Sequence, residues 1–161
     1  MALLPRTRSA IDDATAADVG ALAEIHAKSF FRPWSEEELS RLLADHPVVQ
    51  CLVARSTAVR AKRISGFIIL RIAGGEAEIL TLAVNPIDRR RGLGRMLVEE
   101  ATRRAYRERA ESVFLEVDES NRAAVSLYRA LGFEMVGQRS SYYQKDDAPP
   151  GTALVMRLRL R

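Results

Sequence analysis

The fold of this chain is decided by the basic, glycine-containing stretch Arg89-Arg90-Arg91-Gly92-Leu93-Gly94. The run before it, Ile79-Leu80-Thr81-Leu82-Ala83-Val84, is apolar and closes at Asn85-Pro86, as a buried strand does. The segment 95–109 after it has apolar residues at helical spacing. A strand, a glycine turn and a helix start present free backbone N–H groups at the positive end of a helix dipole. The stretch therefore predicts a phosphate or pyrophosphate site, which Gly92 and Gly94 let the backbone approach closely.

The same stretch is neither of two other phosphate-binding loops. It has no Lys-Ser/Thr pair after its glycines, so it is not a P-loop, and a dinucleotide-binding loop would need a third glycine where Leu97 stands. A Gly-x-Gly alone is weak evidence for a phosphate site, and a polar turn with a solvated basic face is the alternative at this point.

Composition predicts one ordinary α/β domain. The chain has 161 residues, 47% hydrophobic and 29% charged, which fits one domain over 8–161 preceded by a flexible tail over 1–7. No apolar run is long enough for a membrane span. Charged residues interrupt the apolar core that a signal peptide would need at the start of the sequence, so we expect a cytoplasmic protein. The single cysteine, Cys51, lies in an apolar run and is expected to be a buried thiol. The net charge of +4 fits a small polyanionic ligand at least as well as a nucleic acid.

The pattern of periodicities predicts the order β-α-α-β-β-β-α-β-α-β-β, a mixed sheet of about seven strands flanked by about four helices. Gly74-Gly75 predicts a hairpin turn, and Gly132 predicts a helix end. Thr15 and Ser35 are predicted to start the first two helices. The remaining predicted elements are strands at 8–12, 50–56, 64–73, 76–84, 112–117, 133–139 and 153–160, and helices at 94–109 and 122–131.

A second region with several motif residues narrows the class of protein. Asn121, two alanines, Leu127-Tyr128 and Leu131-Gly132-Phe133 follow the basic loop by one helix and one strand. Together the two motifs resemble the GNAT superfamily of N-acetyltransferases. Further segments resemble its RimI branch, the bacterial enzymes that acetylate the N-terminal alanine of a ribosomal protein; they are Pro33-Trp34-Ser35, Leu82-Ala83-Val84-Asn85-Pro86, Leu115-Glu116-Val117 and Tyr142-Tyr143. The resemblance runs from about Ile11 to Leu160.

The resemblance implies a GNAT fold in which two parallel strands splay apart around acetyl-CoA. It implies Glu116 as general base, Tyr128 as general acid towards the departing thiolate, and a substrate groove lined by Trp34, Tyr142 and Tyr143. The residues that it places at acetyl-CoA are Leu82, Ala83, Val84, Arg89, Arg90, Arg91, Gly92, Leu93, Gly94, Arg95 and Asn121.

The implied partners are acetyl-CoA and the basic N-terminal peptide of a small-subunit ribosomal protein, with no metal, no membrane and no direct nucleic-acid binding. We expect a monomer or weak dimer and direct transfer in a ternary complex. The chemistry is reasonable, because an amine must lose a proton before attacking a thioester, and an α-amino group has a pKa of about 7.7–8.0 against about 10.4 for lysine. His26 and His46 have no neighbouring ligands in the sequence, hence no expected metal.

Each of these residues also has a purely structural interpretation. Glu116 could be a surface carboxylate at a strand end, Tyr128 a core aromatic, and Asn121 a helix N-cap. Trp34 could anchor the first helix pair, and one of the two tyrosines at 142 and 143 could be packed.

The closing segment departs from the RimI pattern. Gln144 and Thr152 stand where a proline and an acidic residue are usual, which leaves the acceptor open. Acidic pairs that could instead attract a basic peptide are Asp146-Asp147 and Asp118-Glu119. Another N-terminus, a lysine or a small amine is the nearest alternative acceptor. A non-catalytic acyl-CoA sensor and a basic RNA-binding domain are the alternatives from other classes.

Overall fold

The computed structural model describes residues 9–56, 63–140 and 151–161. These residues form seven strands and four α-helices in the predicted order. The strands are β1 Ser9–Asp13, β2 Val49–Ser56, β3 Ile64–Ala73, β4 Glu76–Val84, β5 Ser112–Asp118, β6 Glu134–Ser140 and β7 Thr152–Arg159. The helices are α1 Val19–Ser29, α2 Glu36–Leu43, α3 Leu93–Arg107 and α4 Arg122–Ala130, with 3₁₀ turns at Ala16–Asp18 and Pro86–Asp88. The tail predicted over 1–7 lies outside the described residues.

Local sequence explains where these elements begin and turn. Ser35 caps α2 as predicted, since its hydroxyl accepts from the Glu38 N–H at 3.2 Å and the Glu38 carboxylate accepts from the Ser35 N–H at 2.7 Å. The hairpin between β3 and β4 turns at Gly74 and Gly75, both at positive φ. Gly132, at φ +94°, ends the helical turn after α4 as predicted.

Two helix boundaries differ from the prediction. The capping residue Thr15 opens a 3₁₀ turn before α1 begins at Val19; the Asp18 carboxylate accepts from the Thr15 N–H and also binds Arg55 of β2. At the other end of the chain's long helix, α3 stops at Arg107 instead of Arg109. Arg109 takes a left-handed φ of +63°, and the N–H that follows it returns to the Ala105 carbonyl at 2.9 Å. That bond is the six-to-one bond of a Schellman motif, normally built on glycine.

The sheet has the strand order β1-β2-β3-β4-β5-β7-β6, and its one parallel pair is β4 with β5. Central strands alternate between two cores, because successive side chains point to opposite faces. On β3, Ile68 and Leu70 pack towards α3 and α4, whereas Phe67 and Ile69 pack towards α1 and α2. Each face is thus covered by two helices. Within the described ranges, every helix is too short or too polar to cross a membrane.

The parallel pair separates halfway along its length. β4 and β5 pair from Glu76 opposite Ser112 to Ile79 opposite Leu115, and no further. Beyond that point β4 stays paired with β3 and β5 stays paired with β7, so each strand is held on its outer edge only. A register irregularity at Leu80 coincides with the separation. The fold therefore opens a gap in the middle of its sheet, as the resemblance predicted.

Candidate active site

The loop after β4 ends in a helix start whose first N–H groups are free of helical partners. Gly92 occupies the N-cap position of α3 with φ +77°, and its carbonyl accepts the first helical bond, from the Met96 N–H at 3.1 Å. The N–H groups from Leu93 to Arg95 precede that bond and have no acceptor within the helix. A Cβ at Gly92 would meet no atom within 4 Å, so this position needs glycine for its backbone angle.

Arg89 fixes the loop to its surroundings. Its Nε donates to the Val84 carbonyl at 3.2 Å and its Nη2 donates to the Ser29 hydroxyl at 3.3 Å, which ties the loop to the ends of β4 and α1. Arg90 has a φ of +63° and is exposed. Over residues 9–56, 63–140 and 151–161 it forms no ion pair, so its guanidinium is available to an incoming anion.

The other two arginines of the loop have carboxylate neighbours. Arg95 donates to Glu99 at 2.8 Å one turn along α3. Arg91 lies 3.6 Å from Asp88, whose buried carboxylate also accepts from Arg63 at 2.9 Å. The second oxygen of Asp88 is buried and has no partner in the described part of the chain. The sequence did not single out Asp88, yet this side chain anchors the base of the loop.

Gly94 brings the loop against the second motif. A Cβ there would lie 3.3 Å from Leu127 of α4 and 4.0 Å from Leu82 of β4, so the glycine allows the two helices to pack closely. Asn121 caps α4, accepting from the Ala124 N–H at 3.2 Å. Its structural interpretation as an N-cap is therefore confirmed, and its predicted bond to acetyl-CoA stays a prediction.

Glu116 lies at the point where the strands separate. It follows Leu115, the last β5 residue paired with β4, and its side chain is 43% exposed. The side chains of Val113, Leu115 and Val117 enter the core under α3 and α4, so Glu116 points to the opposite face of the sheet. Its carboxylate lies 3.1 Å from the Nε of Arg139 on β6, a partner that the sequence did not reveal.

Tyr128 approaches the sheet from the other side. It is 5% exposed, packs in the core under α3 and α4, and contacts Phe133 edge-on at a centroid distance of 5.5 Å. Burial raises the pKa of its phenol to about 12. Among the described residues its hydroxyl has no hydrogen-bond partner, although the ring is packed. The two predicted catalytic residues thus belong to opposite faces of the opened sheet.

A cavity of about 390 Å³ lies over the sheet on the Glu116 side. It brings Trp34 from the α1–α2 connection together with Glu116, and the role of Trp34 in a substrate groove stays a prediction. Its other walls come from α2, from β3 and from the part of β4 around the point where β4 leaves β5. The full lining is Trp34, Glu38, Leu42, Arg71, Glu78, Ile79, Leu80 and Glu116. The predicted groove residues Tyr142 and Tyr143 lie outside the described residues, as do Gln144 and the Asp146-Asp147 pair.

Trp34 is held by His26, a residue that the sequence analysis considered only as a metal ligand. The Trp34 backbone N–H donates to His26 Nδ1 at 3.0 Å, and the two rings stack at a centroid distance of 4.8 Å. The only sequence signal was the helical position of His26 on the buried face of α1.

Two other predictions concern reactive groups. Cys51 is buried as predicted, and burial raises the pKa of its thiol to about 12. A thiol with so high a pKa is a poor nucleophile at neutral pH. The described ranges contain no group of three or more potential metal ligands.

The opened parallel pair, the glycine turn and the helix start define an acyltransferase of the GNAT class. The family model described as "Acetyltransferase (GNAT) family" matches residues 19–133 of this chain. The chain belongs to that family, and it is an N-acetyltransferase by fold and by relatives.

Several of its relatives are named as N-terminal or ribosomal-protein-alanine acetyltransferases. The chain is 38% identical over 138 residues to the N-alpha-acetyltransferase RimI of Mycobacterium tuberculosis, covering 83% of this chain and 84% of the relative. It is 32% identical over 126 residues to the ribosomal protein bS18-alanine N-acetyltransferase of Salmonella typhimurium, covering 78% of this chain and 81% of the relative.

Solved structures share the architecture. The ribosomal-protein-S18-alanine N-acetyltransferase of Escherichia coli superposes with a TM-score of 0.83 and 27% identity over 95% of this chain and 94% of that one. NAA60 of Arabidopsis thaliana, solved with acetyl-CoA, superposes with a TM-score of 0.83 at 17% identity over 95% of this chain and 99% of that one. The second likeness concerns the fold alone.

Proposed function

We propose that this chain is an acetyl-CoA-dependent Nα-acetyltransferase that acetylates the N-terminal alanine of the ribosomal protein bS18, or a close counterpart, by direct transfer in a ternary complex. The observation that carries the proposal is the separation of β4 and β5 after Ile79 and Leu115, with Glu116 at the opening. Relatives named as bS18-alanine N-acetyltransferases match 78% and 81% of the chain, which supports the same acceptor.

The residues of the donor side fit acetyl-CoA. The free N–H groups at the start of α3, together with the unpaired guanidinium of Arg90, suit a pyrophosphate. Backbone groups on the inner edges of the separated strands, including Leu82-Ala83-Val84, have no strand partner on that side and suit the amides of a pantetheine arm. When bound, acetyl-CoA supplies the activated acetyl group as a thioester.

Glu116 is proposed as the proton acceptor for the incoming amine. The α-ammonium must release a proton before its nitrogen can attack, and a carboxylate nearby, directly or through one water, can take it. The exposed carboxylate at the mouth of the gap can reach an amine that enters through the cavity. Arg139 contacts one oxygen of this carboxylate and is proposed to orient it.

Tyr128 is proposed as the proton donor to the leaving thiolate. A phenol whose pKa is raised to about 12 stays protonated at neutral pH, so the proton is present when it is needed. Because the hydroxyl has no hydrogen-bond partner in the described part of the chain, it is free to donate. The proton taken from the amine and the proton given to sulfur therefore pass through different residues.

The acceptor side is suited to a basic peptide. The cavity around Trp34 is lined by the carboxylates of Glu38, Glu78 and Glu116, and by one guanidinium, that of Arg71. The excess of negative charge favours an α-ammonium and a basic residue next to it. Asp118, one of the acidic residues considered earlier, instead accepts from the backbone and hydroxyl of Ser120.

The experiment is to measure CoA release with acetyl-CoA and three peptides. One begins with alanine followed by basic residues, the second is its Nα-blocked form, and the third offers only a lysine side chain. We expect turnover of the free alanine peptide alone. Turnover of the lysine peptide at the same rate would replace the proposal with a lysine acetyltransferase. Acetyl-CoA binding without turnover of any peptide would replace it with a different acceptor or a sensor.

A further inference from the structure

His26 sits between the two halves of the proposed site although no step of the reaction uses it. It is 3% exposed and lies on the inner face of α1. Its ring is sandwiched between Phe30 at 4.3 Å and Trp34 at 4.8 Å, with interplanar angles of 22° and 12°. Phe67 of β3 lies further away at 6.3 Å.

Both ring nitrogens have a partner. The Trp34 backbone N–H donates to Nδ1 at 3.0 Å, and the Thr81 hydroxyl lies 3.3 Å from Nε2. Because the Trp34 N–H is a donor only, Nδ1 must be unprotonated, and the neutral ring carries its proton on Nε2. The imidazole therefore bridges the α1–α2 connection and β4.

The two ends of this bridge are functional positions. Trp34 lines the acceptor cavity, and Thr81 follows Leu80, where the register of β4 shifts and the strand leaves β5. We propose that His26 is a positioning residue for the acceptor, which fixes the Trp34 wall of the cavity to β4 at the point where the parallel strands separate. The inference rests on the proposed function and adds a residue to it.

Protonation of His26 should release this wall. A second ring proton would sit on Nδ1 and face the Trp34 N–H, so one donor would oppose another. Burial already lowers the pKa of His26, whereas the nearby Glu38 carboxylate acts in the opposite direction. The other groups that contact the ring, Phe30, Trp34, Phe67 and Thr81, do not titrate in this range. The release is therefore expected only below the ordinary histidine pKa of about 6.5.

The pair His26→Asn and His26→Leu separates positioning from packing. Asparagine places its Oδ1 near the former Nδ1 and can accept from Trp34, whereas leucine fills the space without an acceptor. We expect His26→Leu to raise the acceptor KM about tenfold, with the Kd of acetyl-CoA within about twofold of wild type. We expect His26→Asn to recover part of that loss, because it restores an acceptor for the Trp34 N–H but is too short to replace the contact of Nε2 with Thr81. A lower acceptor KM in His26→Leu than in His26→Asn would overturn the proposal in favour of simple packing.

Fluorescence supplies a readout that needs no turnover, because Trp34 is the only tryptophan of the chain. Titrating wild-type protein from pH 8 to pH 5 should lower its emission in one transition centred below about 6.5, as a charged imidazole forms against the indole. The transition should vanish in His26→Asn and persist in His46→Asn, which replaces the only other histidine. An unchanged transition in His26→Asn would refute the bridge. Because this arm needs no acceptor, it gives its answer even if no peptide is acetylated.

Discussion

The proposed donor half and the proposed acceptor half of the site are built in different ways. The donor half uses backbone: the N–H groups at the start of α3 and the free inner edges of β4 and β5. The acceptor half uses side chains from separate elements. Trp34 lies just before α2, Glu38 lies on α2, Glu78 on β4 and Glu116 on β5. A backbone site tolerates many side chains as long as the turns persist, whereas a side-chain site changes with each substitution.

This difference predicts that the two halves can be disabled separately. Changes in the loop around Gly92 should weaken acetyl-CoA binding and leave the acceptor KM alone. Changes around the cavity should do the reverse. Substitutions of the two proposed proton-transfer residues, Glu116 and Tyr128, should alter turnover without affecting acetyl-CoA binding.

Replacement of Glu116 should have the largest effect. We expect Glu116→Gln to lower kcat/KM for the alanine peptide by about 10²–10⁴-fold, because the amide cannot accept the proton of the ammonium. The exposed side chain contributes little to folding, so the midpoint of thermal unfolding should stay near that of wild type. Steady-state CoA release measures kcat/KM for the peptide, and calorimetry measures the binding of acetyl-CoA. A variant with wild-type kcat/KM would remove Glu116 from the mechanism.

Tyr128→Phe is expected to lower kcat by about 10²-fold, since only the proton donor is removed. The hydroxyl has no hydrogen-bond partner among the described residues, and the ring contact with Phe133 is kept, so stability should be nearly unchanged. The comparison of kcat with the thermal midpoint tests this. Loss of stability with kcat preserved would support the interpretation of Tyr128 as a core aromatic.

The matched variants Gly92→Ala and Gly74→Ala test the donor half. Both glycines have positive φ, +77° and +60°, and a Cβ at either would meet no atom within 4 Å, so the backbone strain of about 1–2 kcal/mol is similar. Only Gly92 caps the helix at the proposed pyrophosphate site. We expect the Kd of acetyl-CoA to rise about tenfold in Gly92→Ala and to stay constant in Gly74→Ala. Equal Kd values in the two variants would place the anion elsewhere.

A smaller effect is expected from Arg139, which contacts Glu116 in an exposed pair. Such pairs contribute about 0–1 kcal/mol, so Arg139→Gln should lower kcat by no more than about fivefold. In the Glu116→Gln background the same change should have no further effect. An independent loss in the double variant would show that Arg139 acts on something other than Glu116.

The smallest effect is predicted for Cys51. Its thiol is buried with a pKa raised to about 12, so Cys51→Ala should leave kcat unchanged while costing some stability through the space it empties. Acetyl-CoA incubated without acceptor should leave no acetyl group on the protein, as measured by intact mass. An acetylated cysteine would contradict direct transfer.

The backbone features of the proposed donor half could be predicted from the sequence because their signals are local. The apolar run of β4, the glycines at 92 and 94, and the Asn121 cap all lie within short segments whose periodicity and turn chemistry can be read directly. The packing of Gly94 against Leu127 was not predicted, since it depends on a contact between α3 and α4.

The acceptor half was harder to predict because its contacts join distant segments. His26 meets Thr81 across 55 positions of sequence, and Arg139 meets Glu116 across a third strand. Nothing in the local periodicity of α1 distinguishes a bridging histidine from a packed one. The end of α3 was misplaced for a different reason, because arginine at 109 adopts a backbone angle that favours glycine.

The most direct test of the central claim is to locate the acetyl group on the product. A bS18-like peptide that begins with alanine and also contains a lysine is incubated with enzyme and acetyl-CoA, then fragmented in a mass spectrometer. We expect one acetyl group, on the α-amine of the alanine, and at most about 1% of that labelling after the same time with Glu116→Gln. Acetylation of the lysine, or equal labelling by the variant, would contradict a site that delivers an N-terminus to Glu116.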